Sequence, residues 1–255
     1  MAVLHVMSAN LSGGKPWEAP REGMDALTWK KHCIEKTAQQ ISRISPHIIA
    51  FQDINDNAKE GLLYSRIIAA GNYRSSIFAP SKHGCLRKKA TAHNIARGTG
   101  IALASVYPIM DCSVIDIPSH HPEESWLRTL RTRLNLGETH RTAIFANVNV
   151  GGQTVLVATA QLSPTPEVRA VQQRFLHKSF ERFARGQGQQ GAPRVFLGEA
   201  NLPYPQRAQA LTYPALHPES QNNEILAYNA KIAHAENTLL PISDHRAIRA
   251  NIVVE

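Results

Sequence analysis

The sequence predicts an α+β fold with two packed sheets, on three observations. Short apolar runs recur along the whole chain, so strands are many. Two segments carry a strong helical period. Strands and helices do not alternate regularly, which argues against a doubly wound parallel sheet. A length of 255 residues suits one sandwich domain, and the flexible stretch Gly186 to Gly191 lies between a helix and a strand. Residues 1–255 are therefore expected to form a single domain.

Val3 to Ala9 reads as a buried strand, broken by Ser12-Gly13-Gly14-Lys15-Pro16. Thr28 to Ser45 is a helix, with Trp29, Ile34, Ala38, Ile41 and Ile44 on one stripe and Pro46 as its stop. His47 to Phe51 is a second buried strand. Ala58 to Ala70 is a helix ended by Gly71, and Tyr73 to Phe78 a strand. From Ala79 to Gly100 the periodicity fails in a basic loop. Strands resume at Ile101 to Ala104 and Ser113 to Ile117, before a polar insert from Pro118 to His140. Thr142 to Val150 and Thr154 to Ala160 flank Gly151-Gly152, a hairpin signal. Pro166 to Arg185 is a helix with Val168, Val171, Phe175, Ser179 and Phe183 on one face and Leu176 and Phe180 alongside. Arg194 to Leu197, Ile225 to Tyr228 and Ala247 to Val254 complete the strands, the last with Ile248, Ala250, Ile252 and Val254 pointing inward.

Hydrophobic residues make up 43% of the chain, enough for a full core, and charged residues at 19% are too few for a disordered one. No apolar run approaches the ~20 residues that span a bilayer. Lys and Arg number 28 against 20 Asp and Glu, and the resulting +8 favours an anionic partner. Cys33, Cys85 and Cys112 form no Cys-x-x-Cys pair, so neither a zinc site nor a disulfide framework is expected. With no signal-peptide pattern at the start, this points to a reducing, cytoplasmic compartment. Gly13-Gly14-Lys15 lacks the rest of a phosphate-binding loop, no Gly-x-Ser-x-Gly elbow occurs, and His120-His121 are too close for a helical zinc pair.

Polar residues close the strands in five places: Asn10, Gln52-Asp53, Gln161, Gly198-Glu199-Ala200-Asn201 and Ser243-Asp244-His245. Strand ends on a rigid core converge readily on one rim. Asp, Glu, Asn and His without Cys are hard donors, suited to Mg²⁺ or Mn²⁺ more than to zinc. Each also has a plainer reading. Asn10 would serve a turn, Asp53 would cap the next helix, Glu199 and Asn201 would be turn residues, and His245 would pack.

Their order resembles the endonuclease/exonuclease/phosphatase (DNase-like) superfamily. Val6-Met-Ser-Ala-Asn10 is similar to the family's opening strand ending in Trp-Asn, and Ser45-Pro-His-Ile-Ile-Ala-Phe-Gln-Asp53 to Pro-Asp-Ile-Ile-Ala-Leu-Gln-Glu. Gly98 to Ile109 resembles its Gly-rich strand ending in Ser-Arg-Tyr-Pro-Ile, and Val157 to Ser163 stands where the family writes Thr-His-Leu. Val195-Phe-Leu-Gly-Glu-Ala-Asn201 is similar to Leu-Gly-Asp-Phe-Asn, and Ile242-Ser-Asp-His-Arg-Ala-Ile248 to Ser-Asp-His-x-Pro-Val. The resemblance implies a four-layer αββα sandwich of two mixed sheets flanked by helices, with attack on a phosphate ester aided by Mg²⁺ or Mn²⁺. It implies that Asn10, Asp53, Glu199 and Asp244 hold metal and that Glu199 deprotonates water. Asn201 and Gln161 would contact the phosphoryl group, and His245 would stabilise charge or move a proton.

The departures are specific. Asp53 is one methylene shorter than the family's Glu, and Glu199 one longer than its Asp. Gln161 replaces a His, and Asn223 stands where an Asp orients the histidine. A misplacement of about 1 Å at a reacting group loses about 100-fold, and an Asp-to-Asn change behind a catalytic histidine costs about 10⁴ in serine proteases. Two readings stay open: a phosphodiesterase of altered or weak activity, and a pseudoenzyme that binds an anionic ligand or a protein. The expected partner is DNA or RNA. The basic residues Arg87, Lys88 and Lys89, and Trp126 with Arg128, Arg131 and Arg133, would contact it in the two inserts. A phosphorylated small molecule is the alternative substrate, and a monomer the expected state.

Overall fold

The computed structural model describes residues 2–56, 62–80, 100–118, 141–199 and 223–254, with 209–211 as backbone. Two six-stranded sheets face each other. In the first, β1 (Ala2–Asn10) lies between β12 (Arg246–Val254) and β2 (Ile48–Ile54). β11 (Lys231–Leu239) flanks β12, and β4 (Gly100–Ser105) and β3 (Ser75–Pro80) continue beyond β2. The second sheet runs β5 (Ile109–Ile117), β6 (Arg141–Val150), β7 (Gln153–Ala160), β8 (Arg194–Gly198), β10 (Glu224–Tyr228) and β9 (Gln209–Leu211). Each sheet contains one parallel pair, β1 with β2 and β7 with β8, so both are mixed.

Period-two burial explains the layering. Leu4, Val6, Ile48, Ala50 and Leu103 of one sheet meet Ile144, Ala146, Val157, Val195 and Leu197 of the other in the central core. The alternate residues Met7, Ala9, Ile49 and Phe51 face outward onto α1 (Ala26–Ile44) and α2 (Leu63–Ala70). On the far side, Phe145, Ala158, Phe196 and Leu226 face Leu176 and three phenylalanines of α3 (Pro166–Gly186). The order of layers is αββα, as the motifs implied.

Local chemistry sets the helix ends. Asp25 accepts hydrogen bonds from the Leu27 and Thr28 amides, both at 3.0 Å, so α1 begins two residues before the expected Thr28. Ser45 ends it in the left-handed region with φ 51°, and Pro46 follows. Before α2 it is Asp56, not Asp53, that holds the Ser65 amide at 3.0 Å. The inner face of α3 is centred on Gln172, Leu176 and Ala184, a rotation from the expected stripe, with Phe175, Phe180 and Phe183 half-buried. Gln172 turns inward because its amide bridges the Ser163 N–H and the Pro118 carbonyl. β11 escaped the sequence reading. Its mixed burial carries no alternation, and as an edge strand it is held by pairing with β12 alone.

His47, at the start of β2, takes the His5 amide on Nδ1 at 3.3 Å, which requires that nitrogen to be unprotonated. Burial first, and the neighbouring His5 second, hold the imidazole below its ordinary 6.5. The folded state therefore binds this proton less readily than the unfolded chain. Stability is full above about 6.5 and falls as pH drops toward the folded value. Urea titrations should show a loss between pH 7 and pH 5 that is smaller in His47→Gln. An equal loss in both would place the titrating group elsewhere.

Candidate active site

The parallel pairs deliver the site. β1 and β2 run together to a common end, with Asn10 beside Gln52, and an isolated bridge sets Gln161 beside Glu199 beyond β7 and β8. These two ends meet across the sandwich. The Asn10 Nδ2 donates to Glu199 Oε1 at 2.8 Å, and Gln161 Nε2 donates to Glu199 Oε2 at 3.1 Å. The amide orientation of Asn10 follows from its other contact, because its Oδ1 accepts the Ser12 N–H at 2.8 Å. Glu199 is thus gripped on both oxygens by residues from two other strand ends.

Burial pushes the Glu199 carboxyl above the usual 4.5, and this is the largest influence on it. The Asn10 hydrogen bond, the His245 charge, the Gln161 hydrogen bond and the Arg141 charge pull it back in that order. Arg141, the first residue of β6, was not among the expected site residues. A lone arginine at the end of a basic insert carries no signal that sets it apart.

Asp244 and His245 enter from the turn before β12. Ser243 anchors that turn, donating its hydroxyl to the Asn10 carbonyl at 2.6 Å and accepting the His245 N–H at 3.0 Å. Asp244 Oδ1 accepts from the Ser12 hydroxyl and lies 3.5 Å from His245 Nε2. Its carboxyl is held below the usual 3.8, first by the Ser12 hydrogen bond and then by the charges of His245 and Lys15, against some burial. Ser12 and Ser243 were legible only as a turn and as the lead-in to Asp-His, yet they join β1 to this turn.

Beneath the rim lies a buried polar layer. Gln52 is fully buried and bridges Ser8, Thr159 and the Leu197 carbonyl at 3.2–3.4 Å. Asn223 accepts from Ser8 at 3.3 Å and donates to the Arg246 carbonyl at 3.1 Å. Its side chain therefore fixes the backbone next to His245, and the imidazole itself is not its partner. Asp53 is the outlier. It sits at the β2 bulge with φ 50°, half-buried, and its carboxylate has no partner among the described residues. A non-glycine residue in that region costs on the order of 1–3 kcal/mol and tends to occur at functional sites.

The expected metal ligands are Asn10, Asp53, Glu199 and Asp244; among the described residues no three His, Cys, Asp or Glu side chains stand together to hold an ion. Glu199 is hydrogen-bonded to the two amides and Asp244 to Ser12. The donors nonetheless suit Mg²⁺ or Mn²⁺ in kind. They are oxygens throughout, each Glu199 oxygen has a second lone pair, and Mg²⁺ commonly takes one or two carboxylates and keeps its water. Asn201, Arg87, Lys88, Lys89, Trp126, Arg128, Arg131 and Arg133 lie outside the described residues.

No family model and no curated protein matches the sequence. Solved structures do match. An endonuclease/exonuclease/phosphatase from Bacteroides vulgatus superposes with a TM-score of 0.68 at 12% identity, covering 100% of both chains. The human Nocturnin catalytic domain with bound sulfate gives 0.67 at 14%, covering 99% of this chain and 94% of that one. Truncated Caenorhabditis elegans TDP2 gives 0.63 at 16%, covering 99% and 98%. Ordered motifs, layer sequence and end-to-end superposition agree, and the chain has the endonuclease/exonuclease/phosphatase, DNase-like fold.

Proposed function

We propose that this protein is a slow phosphodiesterase acting on nucleic acid. The observation that supports this best is the part-buried Glu199 carboxylate, clamped by Asn10 and Gln161. A carboxyl raised above its ordinary value is a better proton acceptor than an ordinary one. Glu199 takes a proton from water as that water attacks phosphorus. The bond to the leaving oxygen breaks, and His245, beside Asp244, stabilises the charge and returns a proton to that oxygen. Mg²⁺ or Mn²⁺ held through Asp53 and Glu199 would neutralise charge on the phosphoryl oxygens. The net charge of +8 supports a polyanionic substrate.

One observation favours a second reading, a binding module of the same fold. Asn223 engages Ser8 and the Arg246 carbonyl, so position 223 gives the His245 ring no carboxylate, and the one beside it is the exposed Asp244, 3.5 Å from Nε2. Bis(p-nitrophenyl) phosphate and short oligonucleotides, assayed with Mg²⁺ and with Mn²⁺, separate the two. Slow turnover that disappears in EDTA, with calorimetric metal binding weakened in Asp53→Asn, is the expected result. Absence of both turnover and metal binding at millimolar ion would leave the binding module standing.

A further inference from the structure

The described residues also border a cavity away from the Glu199 cluster. It is an open groove of about 370 Å³ along α1, bordered also by Trp17, Glu18 and Arg21 and by Leu239 and Pro241. That volume falls within the ~300–1,000 Å³ of small-ligand sites. Its charge is one-sided: Arg21, Lys36 and Arg43 are exposed, His32 is half-exposed, and the opposing acid in the lining is Glu18.

The walls are built. Trp29 is buried, donates its indole N–H to the Glu18 carbonyl at 2.9 Å, and is stacked by His32 at 5.5 Å with Arg21 over its face at 5.3 Å. The Trp17 N–H donates to the Pro241 carbonyl at 3.2 Å, and the Gln40 amide to the Leu239 carbonyl at 3.0 Å. Trp17 is therefore anchored through its backbone, while the residue is 55% exposed and its indole has no ring partner among the described residues. An anchored, open indole among cations is the arrangement that stacks a base and pairs its phosphates, and it tolerates any sequence.

Position adds a reason. Trp17 follows Asn10 and Ser12 by a few residues in the chain, and Pro241 leads within three residues into Ser243 and Asp244. A strand lying in the groove would be held by the same two segments whose inner ends form the site.

We infer that this groove binds a single-stranded segment of nucleic acid, one base stacked on Trp17 and its phosphates paired with Arg21, Lys36 and Arg43. The choice of ligand rests on the nucleic-acid reading above. A labelled short oligothymidylate, titrated by anisotropy in EDTA against the full chain, tests it. Trp17→Ala should weaken binding about tenfold, the scale of one lost base stack. The double variant Lys36→Glu/Arg43→Glu should weaken it further and flatten its salt dependence between about 50 and 200 mM. Hydrolysis of bis(p-nitrophenyl) phosphate should be unchanged in both, and matching melting curves confirm folding. Should Trp17→Ala fold poorly, the double variant, on the exposed side of α1, decides alone. Parental affinity in these variants overturns the groove and leaves the proposed activity intact. A parent that cleaves the small diester yet binds no oligothymidylate overturns both the groove and the nucleic-acid substrate, while the hydrolytic reading survives.

Discussion

Glu199→Gln is expected to lower phosphodiester hydrolysis by about 100- to 10,000-fold, the range of a lost general base, without lowering thermal stability at pH 7. The second half of that expectation follows from the sign of the carboxyl's shift. Burial, the largest influence, raises its folded value above 4.5 despite the donors around it. A group raised in the folded state lends its full stability below its unfolded value and loses it as pH climbs through the folded one. At pH 7 the ionised side chain is a net burden on the fold, which a neutral isostere removes. The hydrogen bonds can be rebuilt. Asn10 is oriented by the Ser12 N–H and must keep donating, so the new amide oxygen faces Asn10. The new NH₂ then faces Gln161, whose side chain has Glu199 as its hydrogen-bond partner and can rotate to present its oxygen. Melting curves in EDTA should show the variant at or above the parent at pH 7, with the advantage gone near pH 4. A variant clearly less stable at pH 7 would mean that the donors outweigh burial and that Glu199 is an ordinary low carboxylate.

What could be read from residues alone was whatever depends on short-range pattern. Strand β12 shows its burial through Ile248, Ala250, Ile252 and Val254, and helix α1 through its stripe and its proline stop. That Asn10, Gln161 and Glu199 would share a rim was expected from their places at strand ends, and the structure brings these three together. The partners of those residues were not. Whether Asn10 turns its oxygen or its nitrogen to Glu199 depends on the Ser12 amide, a property of the turn and not of the motif. Asn223 was expected behind the histidine ring, but the carbonyl of Arg246 is the acceptor it reaches. β11 and the inner face of α3 were misread for a related reason. Edge position and an inward glutamine are settled by neighbours distant in sequence, and local hydropathy does not encode them.

Gly198→Ala should be the most damaging small substitution near the site. A Cβ there would stand 2.3 Å from the Ala160 carbonyl oxygen and 3.1 Å from the Ala160 nitrogen. Both are backbone atoms at the end of β7, and no rotamer change moves them aside. The ring of the fully buried Phe196, 3.0 Å away, closes the remaining side. The strands must separate where the Glu199 N–H donates to the Ala160 carbonyl at 2.9 Å and the Leu162 N–H to the Glu199 carbonyl at 2.9 Å. Overpacking of this kind costs about 1–3 kcal/mol, visible as a lower urea midpoint with an unchanged slope. The same displacement carries Glu199 away from Asn10, and about 1 Å at a reacting group is worth about 100-fold in rate. Stability and hydrolysis should therefore fall together. Gly151→Ala, in the β6–β7 turn with nothing near its would-be Cβ, provides the contrast: its φ of 61° makes it mildly destabilising and leaves the rate untouched. If Gly198→Ala melts like the parent and retains its rate, β7 and β8 are not in close contact at this end, and the Gln161–Glu199 bridge would have to be redrawn.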